Sequence, residues 1–320
     1  FSFKLFNVYQ GLIVVFMASE FFKRDRRTDS TQVIFSRSFS NTSYILGKFL
    51  GVLSLFLLMN ILVGVITALI HLFLSDTPLS IPAYLNYFLV LNLPTLVFLI
   101  GLAFILGVVI RNQAVVILLG VAVSSLSLVV LGNKAYFVPD IFGFHTPLMY
   151  SDFIGLGNAA QLLVLRLPYL LMGLGCVFGT VLLAKRLRQS PWTTALSGVL
   201  SALLFLSALG LVFVNIQDNR GIDSFRRDLL AESRKYAGAP AMNMESCSLE
   251  VDFPGGILSV SSEIHLRNNL NEPAGSVLLT LNPGLEVSRV SSGGTPLEYL
   301  REGHLIILEP PDSLAPGAGI

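Results

Sequence analysis

One stretch constrains this chain more than any other: from Tyr44 to Leu74 it runs for 31 residues that are apolar almost throughout. A bilayer core is about 30 Å thick and offers no water to backbone amides, so a run of this kind crosses it as a helix that closes its own hydrogen bonds. At about 1.5 Å per residue the window is longer than the core, and its Tyr44 end is expected to tilt or to project into water. Five further windows qualify: Phe3 to Ser19, Tyr84 to Ile110, Ala114 to Leu131, Ala160 to Ala184 and Thr193 to Val214. The 320 residues are 53% hydrophobic and 13% charged, against about 25% charged in an average soluble domain. The expected class is therefore an α-helical polytopic membrane protein with six spans.

Charge placement gives the expected orientation, because Lys and Arg concentrate in cytoplasmic connections. The segment after the first window carries Lys23, Arg24, Arg26, Arg27, Arg37 and Lys48, whereas "SDTPLSIPA" has no base. Arg111 marks the next turn, "GNKAYFVPDIFGFHTPLMYSDFIGLGN" has Lys134 against Asp140 and Asp152, and "KRLRQSPW" supplies three bases. Basic and base-poor connections alternate, which puts the three basic ones in the cytoplasm and everything after Val214 outside. A net charge of +1 offers no field for nucleic acid, which is not expected as a partner.

After Val214 the pattern changes. "DNRGIDSFRRDLLAESRKY" spaces Ile222, Phe225, Leu229 and Leu230 as a juxtamembrane helix would. From Ser246 the period is two: Leu258, Val260, Ile264 and Leu266 fall on one face, and "GSVLLTLNPG" and "GHLIILEP" are further strands between turn clusters such as "NEPAG" and "SSGGTP". An extracytoplasmic antiparallel β-sandwich-like domain is expected. The domain boundaries read as 1–189 for the transmembrane bundle, 190–217 for an additional transmembrane helix, 218–244 for the juxtamembrane helix and linker, and 245–320 for the β domain. The opening at Phe1 and the close at "LAPGAGI" suggest a piece of a longer protein.

Chemistry-bearing motifs are sparse. "YILGKF" lacks the spacing and the hydroxyl of a phosphate-cradling loop, so this chain is not expected to hydrolyse ATP itself or to bind a cofactor. His71, His145, His265 and His304 fit no zinc-helix spacing, and no metal site is expected from Cys176 and Cys247, which lie in an apolar run and in the polar C-terminal part. Arg166 is the one clearly intramembrane ionisable residue. It is expected to snorkel toward the headgroups, with a place in a transport pathway or interface as the alternative. Asn60, Asn86 and Asn92 suggest hydrogen bonds between helices, Gly173, Gly175 and Gly179 a close helix approach, and Pro94 and Pro168 kinks. The aromatic stretch "FGFHTPLMYSDFIGLGN", 142–158, reads as lying along or dipping into the outer interface, where it would line a lateral exit, or as an ordinary loop.

The remaining feature is the charged island "EFFKRDRRTDSTQVIFSRSFSNTSYILGKFLG", Glu20 to Gly51. By residue type it suits an amphipathic surface helix that either binds anionic lipid or offers its charges to a soluble partner. Its wording resembles the cytoplasmic connection of ABC type-2 exporter permeases: a Glu after one helix, a Thr before an apolar pair, and a Gly-Lys opening the next helix. That resemblance covers Phe1 to Gln189 and implies that Glu20, Arg24, Arg26, Arg27, Thr31 and Lys48 couple the membrane domain to a nucleotide-binding ATPase. Such permeases often have Pro after the apolar pair, where this chain has "SRSFS". The resemblance also implies a bacterial inner membrane location and a homodimer or a second permease half. Separately, "LNPGL" and "LAPG" resemble the N-terminal β domain of zinc aminopeptidases of the aminopeptidase N type. The implied function is the permease subunit of an ATP-driven exporter and not an enzyme. The alternatives are a membrane-anchored zinc aminopeptidase with its catalytic domain beyond residue 320, and a non-transporting scaffold whose outer β domain binds a partner.

Overall fold

The computed structural model describes residues 2–26, 40–74, 79–110, 112–151, 155–184, 191–238, 242–310 and 313–320. They divide into two compact units, Phe1–Asn219 and Arg220–Ile320.

The first unit is a bundle of α1 (Ser2–Arg26), α2 (Asn41–Leu74), α3 (Ile81–Val109), α4 (Gln113–Leu131), α5 (Ala159–Leu183) and the first part of α6 (Pro191–Lys235). Helix α3 opens with Pro82 in its first turn, where the missing amide is harmless. Asn112 caps α4 by accepting from the Ala114 amide at 3.0 Å. Each of α3 and α4 contains a π-helical turn, Tyr87–Asn92 in the first and Ser127–Leu131 in the second, and a short antiparallel ribbon of β1 (Tyr150–Ser151) and β2 (Gly155–Leu156) precedes α5.

Among the described residues, five helices are long and apolar enough to cross a membrane, α2 through α6. The expected sixth, α1, does form as a 25-residue helix, but Lys4, Asn7 and Gln10 dilute its apolar run. Its Val14, Val15 and Ala18 are fully buried in the bundle. Helix α2 turns Ile45, Phe49, Val52 and Phe56 inward at three- and four-residue spacing and leaves Leu50, Leu58, Ile61 and Leu62 exposed. That exposed apolar face suits acyl chains as its solvent.

The tightest packing is between α3 and α5. A Cβ on Gly101 would stand 2.2 Å from the Gly173 carbonyl oxygen, and one on Gly173 would meet the Val97 backbone at 2.5 Å. Backbones this close admit no side chain between them, so either glycine replaced by alanine forces the helices apart. Gly175 faces the Phe205 ring and Gly179 faces Ile105 and Ser201, so the expected close approach is realised along one stripe of α5.

Within the second unit, the charged end of α6 continues the helix of its apolar part without interruption to Lys235. Strands β5 (Val277–Thr280), β8 (Tyr299–Glu302) and β9 (Leu305–Leu308) form a three-stranded antiparallel sheet in the order β5-β9-β8. Strands β3 (Asn243–Asp252) and β4 (Ser259–Arg267) form a separate ribbon, in which Cys247 pairs with Ile264 and Val251 with Val260. A small ribbon joins β6 (Ser291–Ser292) and β7 (Thr295–Pro296). Among the described residues the domain is β-rich, as expected, and its sheet and ribbons are separate, without a closed sandwich. The physical reason lies in the β3–β4 ribbon: only its Ile264–Leu266 end reaches the core of Leu266, Val277, Ile306 and Leu308, while Leu249, Val251, Phe253 and Ile257 stay exposed. The β8–β9 hairpin turns on Gly303, whose φ of +56° suits glycine. Beside it the His304 Nε2 and Ser233 Oγ atoms are hydrogen-bonded at 2.7 Å, tying the end of α6 to the sheet.

Candidate functional site

Proline at position 94 has no amide to return to the carbonyl of Val90, and the π turn Tyr87–Asn92 that precedes it disturbs the neighbouring ladder as well. In water such carbonyls would simply be hydrated. Inside a membrane bundle they need a donor from the protein, and Arg166 of α5 supplies it. Its Nε donates to Val90 O at 3.4 Å and its Nη2 to Leu91 O at 3.1 Å.

The same guanidinium reaches the loop between α4 and α5. Nη1 donates to Asp140 O at 2.7 Å, and Nη2 to Ile141 O at 2.9 Å and Thr95 Oγ1 at 2.7 Å. The guanidinium carbon also lies 5.1 Å from the Tyr169 ring centroid. With 1% of its surface exposed, Arg166 is the largest side chain buried to this degree. The snorkelling expected from sequence is therefore wrong. Carbonyls from two segments converge on the planar fork and hold it inside the bundle.

The loop is organised from its own interior by Asp140. This buried carboxylate accepts from the amides of Phe144, His145 and Thr146 at 2.8–2.9 Å and from the Thr146 hydroxyl at 2.9 Å. Four donors on one carboxylate compensate for its removal from water. Lys4 of α1 then holds the loop from the far side, its Nζ donating to Phe144 O at 3.0 Å and Thr146 O at 2.8 Å. Between these holds, Ile141 and Phe142 insert into the bundle core, Phe142 packing over Gly11 of α1. Gly143 completes the turn with φ of +64°, and a Cβ there would stand 2.6 Å from Leu91. Glycine meets both demands at once. The 138–146 loop is thus a plug that penetrates the bundle; the expectation for 142–158 was a position along the interface or an ordinary loop.

Thr95 and Asn7 join the clasp to a second polar group. Thr95 Oγ1 accepts from Arg166 and from Asn7 Nδ2 at 3.2 Å, and its single proton serves Leu91 O and Ile141 O, each at 2.9 Å. Asn7 also donates to Phe142 O at 2.9 Å. Deeper in the bundle, Asn60 donates to Gln10 at 2.6 Å and Asn92 donates to Asn60 at 2.5 Å. These amides come from three helices, and the expectation that Asn60 and Asn92 bond between helices is met. The arrangement holds no nucleophile and base pair, and among the described residues no cluster of His, Cys, Asp and Glu has the form of a metal site. What it does chemically is fix four helices and a loop through hydrogen bonds, those of Arg166, Asp140 and Lys4 being charge-assisted.

The residues assigned to ATPase coupling lie elsewhere. Glu20 is exposed near the end of α1 and accepts from Gln113 Nε2 at 2.5 Å. Arg24 and Arg26 occupy the last turn of α1, while Arg27 and Thr31 lie outside the described residues. Lys48 sits on α2 with its ammonium 4.7 Å from the Tyr44 ring centroid. Asn41, which heads α2, is buried and donates to Ala184 O at 2.8 Å. The Glu20–Gln113 and Asn41–Ala184 bonds tie together helix ends that flank the three basic connections, and the Lys4 bonds tie the start of α1 to the base-poor connection between α4 and α5.

Asp140, Thr95, Asn7 and Lys4 were not singled out from sequence for this role. A usable signal existed in "VPDIFGFHTP": an Asp between prolines, followed at four to six residues by amides free to turn back onto it. Comparison with protein-family models, with curated proteins and with solved structures finds no match.

Proposed function

We propose that this chain is the membrane-spanning permease subunit of an ATP-driven exporter. The observation that carries the reading is the division of labour between the two ends of the bundle. The helix ends flanking the basic connections are linked by the exposed Glu20–Gln113 bond and the Asn41–Ala184 bond. At the opposite end, the plug held by Arg166, Asp140 and Lys4 fills the bundle. A soluble ATPase docking on the basic end would move α1 and α4 through Glu20, and substrate would leave where the plug withdraws. Both steps supply what alternating access requires, one driven end and one gated end. In this reading Glu20, Arg24, Arg26, Arg27, Thr31 and Lys48 form the docking surface, the basic end faces the cytoplasm, and a second copy or second half completes the transporter in a bacterial inner membrane.

The test is copurification of the full chain with the candidate ATPase. Reversing Arg24, Arg26 and Arg27 to Glu is expected to reduce the retained ATPase at least about tenfold, a loss of about 1.4 kcal/mol. Undiminished retention would overturn the docking assignment. Chelator-sensitive release of an N-terminal amino acid by the full protein without any ATPase would favour the membrane-anchored peptidase instead.

A further inference from the structure

Between α5 and α6 lies a cavity of about 240 Å³, within the first unit. Its walls are Val164, Leu165 and Met172 of α5 and Leu209 and Val212 of α6, with Asn215 as its polar lining on α6. Pro168 also lines it and has no amide to close onto the Val164 carbonyl, so the wall of α5 is interrupted on this side. Asn215 is 3% exposed. Its Oδ1 accepts from Asn219 at 3.1 Å, but its Nδ2 has no partner in the protein. A buried amide nitrogen left unpaired in an apolar wall is a costly arrangement unless something enters to accept from it.

We infer that this cavity binds one acyl chain of a membrane glycerolipid, whose ester carbonyl accepts a hydrogen bond from Asn215 Nδ2. Three properties select that occupant. The walls are apolar, and the lining has no charged side chain, which disfavours a phosphate or a carboxylate as the group at Asn215. The volume admits about eight groups of water size at about 30 Å³ each, comparable to a segment of an acyl chain, and its lining is too apolar for water alone. Leu209 is 59% exposed and adjoins Leu206 at 65% and Phe213 at 63%, so the cavity opens onto a helix face whose natural solvent is lipid tails. An ester carbonyl is the neutral acceptor that a glycerolipid carries at the head of each chain. The inference requires that α5 and α6 span a membrane and is independent of any ATPase.

The experiment uses the full protein, purified and delipidated in detergent, then titrated with a diester phosphatidylglycerol and with the diether lipid of the same headgroup and chains. Bound lipid is counted by native mass spectrometry. The diester is expected to bind about fivefold more tightly, the ratio one hydrogen bond supports. Asn215→Leu should abolish the difference while leaving diether binding in place, and Val212→Phe should reduce both by filling the cavity. Equal binding of the two lipids to the unmodified protein, or undiminished binding to Val212→Phe, overturns the proposal. Should either variant fail to fold, the diester-to-diether ratio of the unmodified protein still decides.

Discussion

The two π turns of the bundle pose one problem and receive different answers. At Tyr87–Asn92 the acceptors include the Val90, Leu91, Asp140 and Ile141 carbonyls, and a permanently charged guanidinium serves all of them. At Ser127–Leu131 the demand is smaller. The His145 Nε2 atom is paired with Leu128 O at 2.8 Å, while the Ser127 hydroxyl donates to Pro139 O at 2.6 Å and accepts from the Ile141 amide at 3.0 Å. A charge is retained in the bundle where acceptors are many and convergent; a hydroxyl and a ring suffice where they are few. Both turns are closed against the same plug, so the loop is the shared cap of two irregular helices.

Substitutions sharpen this contrast, the first having the largest effect. Arg166→Met leaves the converging carbonyls without a donor and should destabilise the bundle by at least about 3 kcal/mol, given about 1.5–3 kcal/mol for a hydrogen bond to a charged group. Thermal unfolding in detergent measures it, and Arg166→Lys should recover only part because an ammonium cannot reproduce the fork. A melting temperature for Arg166→Met equal to that of the unmodified protein would remove the clasp from the account. Gly143→Ala should cost about 1–2 kcal/mol from the left-handed backbone alone. Because its Cβ also meets Leu91, the plug should become more accessible to a protease added from the loop side; unchanged cleavage would show that the loop tolerates the methyl group. His145→Leu should cost about 1 kcal/mol, the typical net contribution of one hydrogen bond. Combined with Arg166→Lys, its effect should depart from additivity because both act on one loop, and strict additivity would mean that the two turns are independent.

The helices were legible because hydrocarbon demands a long apolar window, and the windows predicted for α2, α3, α4 and α5 lie within a few residues of the observed helices. The α5 glycines were legible for a related reason, since small residues on one stripe have few uses other than close approach. Helix α1 was less so. Its inward face carries Asn7 and Gln10, both essentially unexposed, and hydropathy registers them as a penalty although the bundle uses them as bonds. Arg166 was visible as an isolated charge, but its partners are mostly main-chain carbonyls, which look alike in every sequence. The trace they leave is Pro94, a residue defined by the donor it lacks. The β region showed its strands through alternation, yet alternation reports a face and not what covers it, so the uncovered β3–β4 ribbon was out of reach.

The buried Arg166 also bears on how the chain is made. Insertion scales put a lone arginine at the centre of a membrane helix at about 2.5–3.5 kcal/mol, an upper bound for Arg166, which lies about two turns from the start of α5. Its acceptors on α3 and in the 138–146 loop all precede α5 in the chain, so a ribosome completes them before Arg166 emerges. The order of synthesis thus matches the order in which the parts can be accommodated: each later helix finds its partners already delivered, and a permutation that placed α5 first would have to insert its charge unattended.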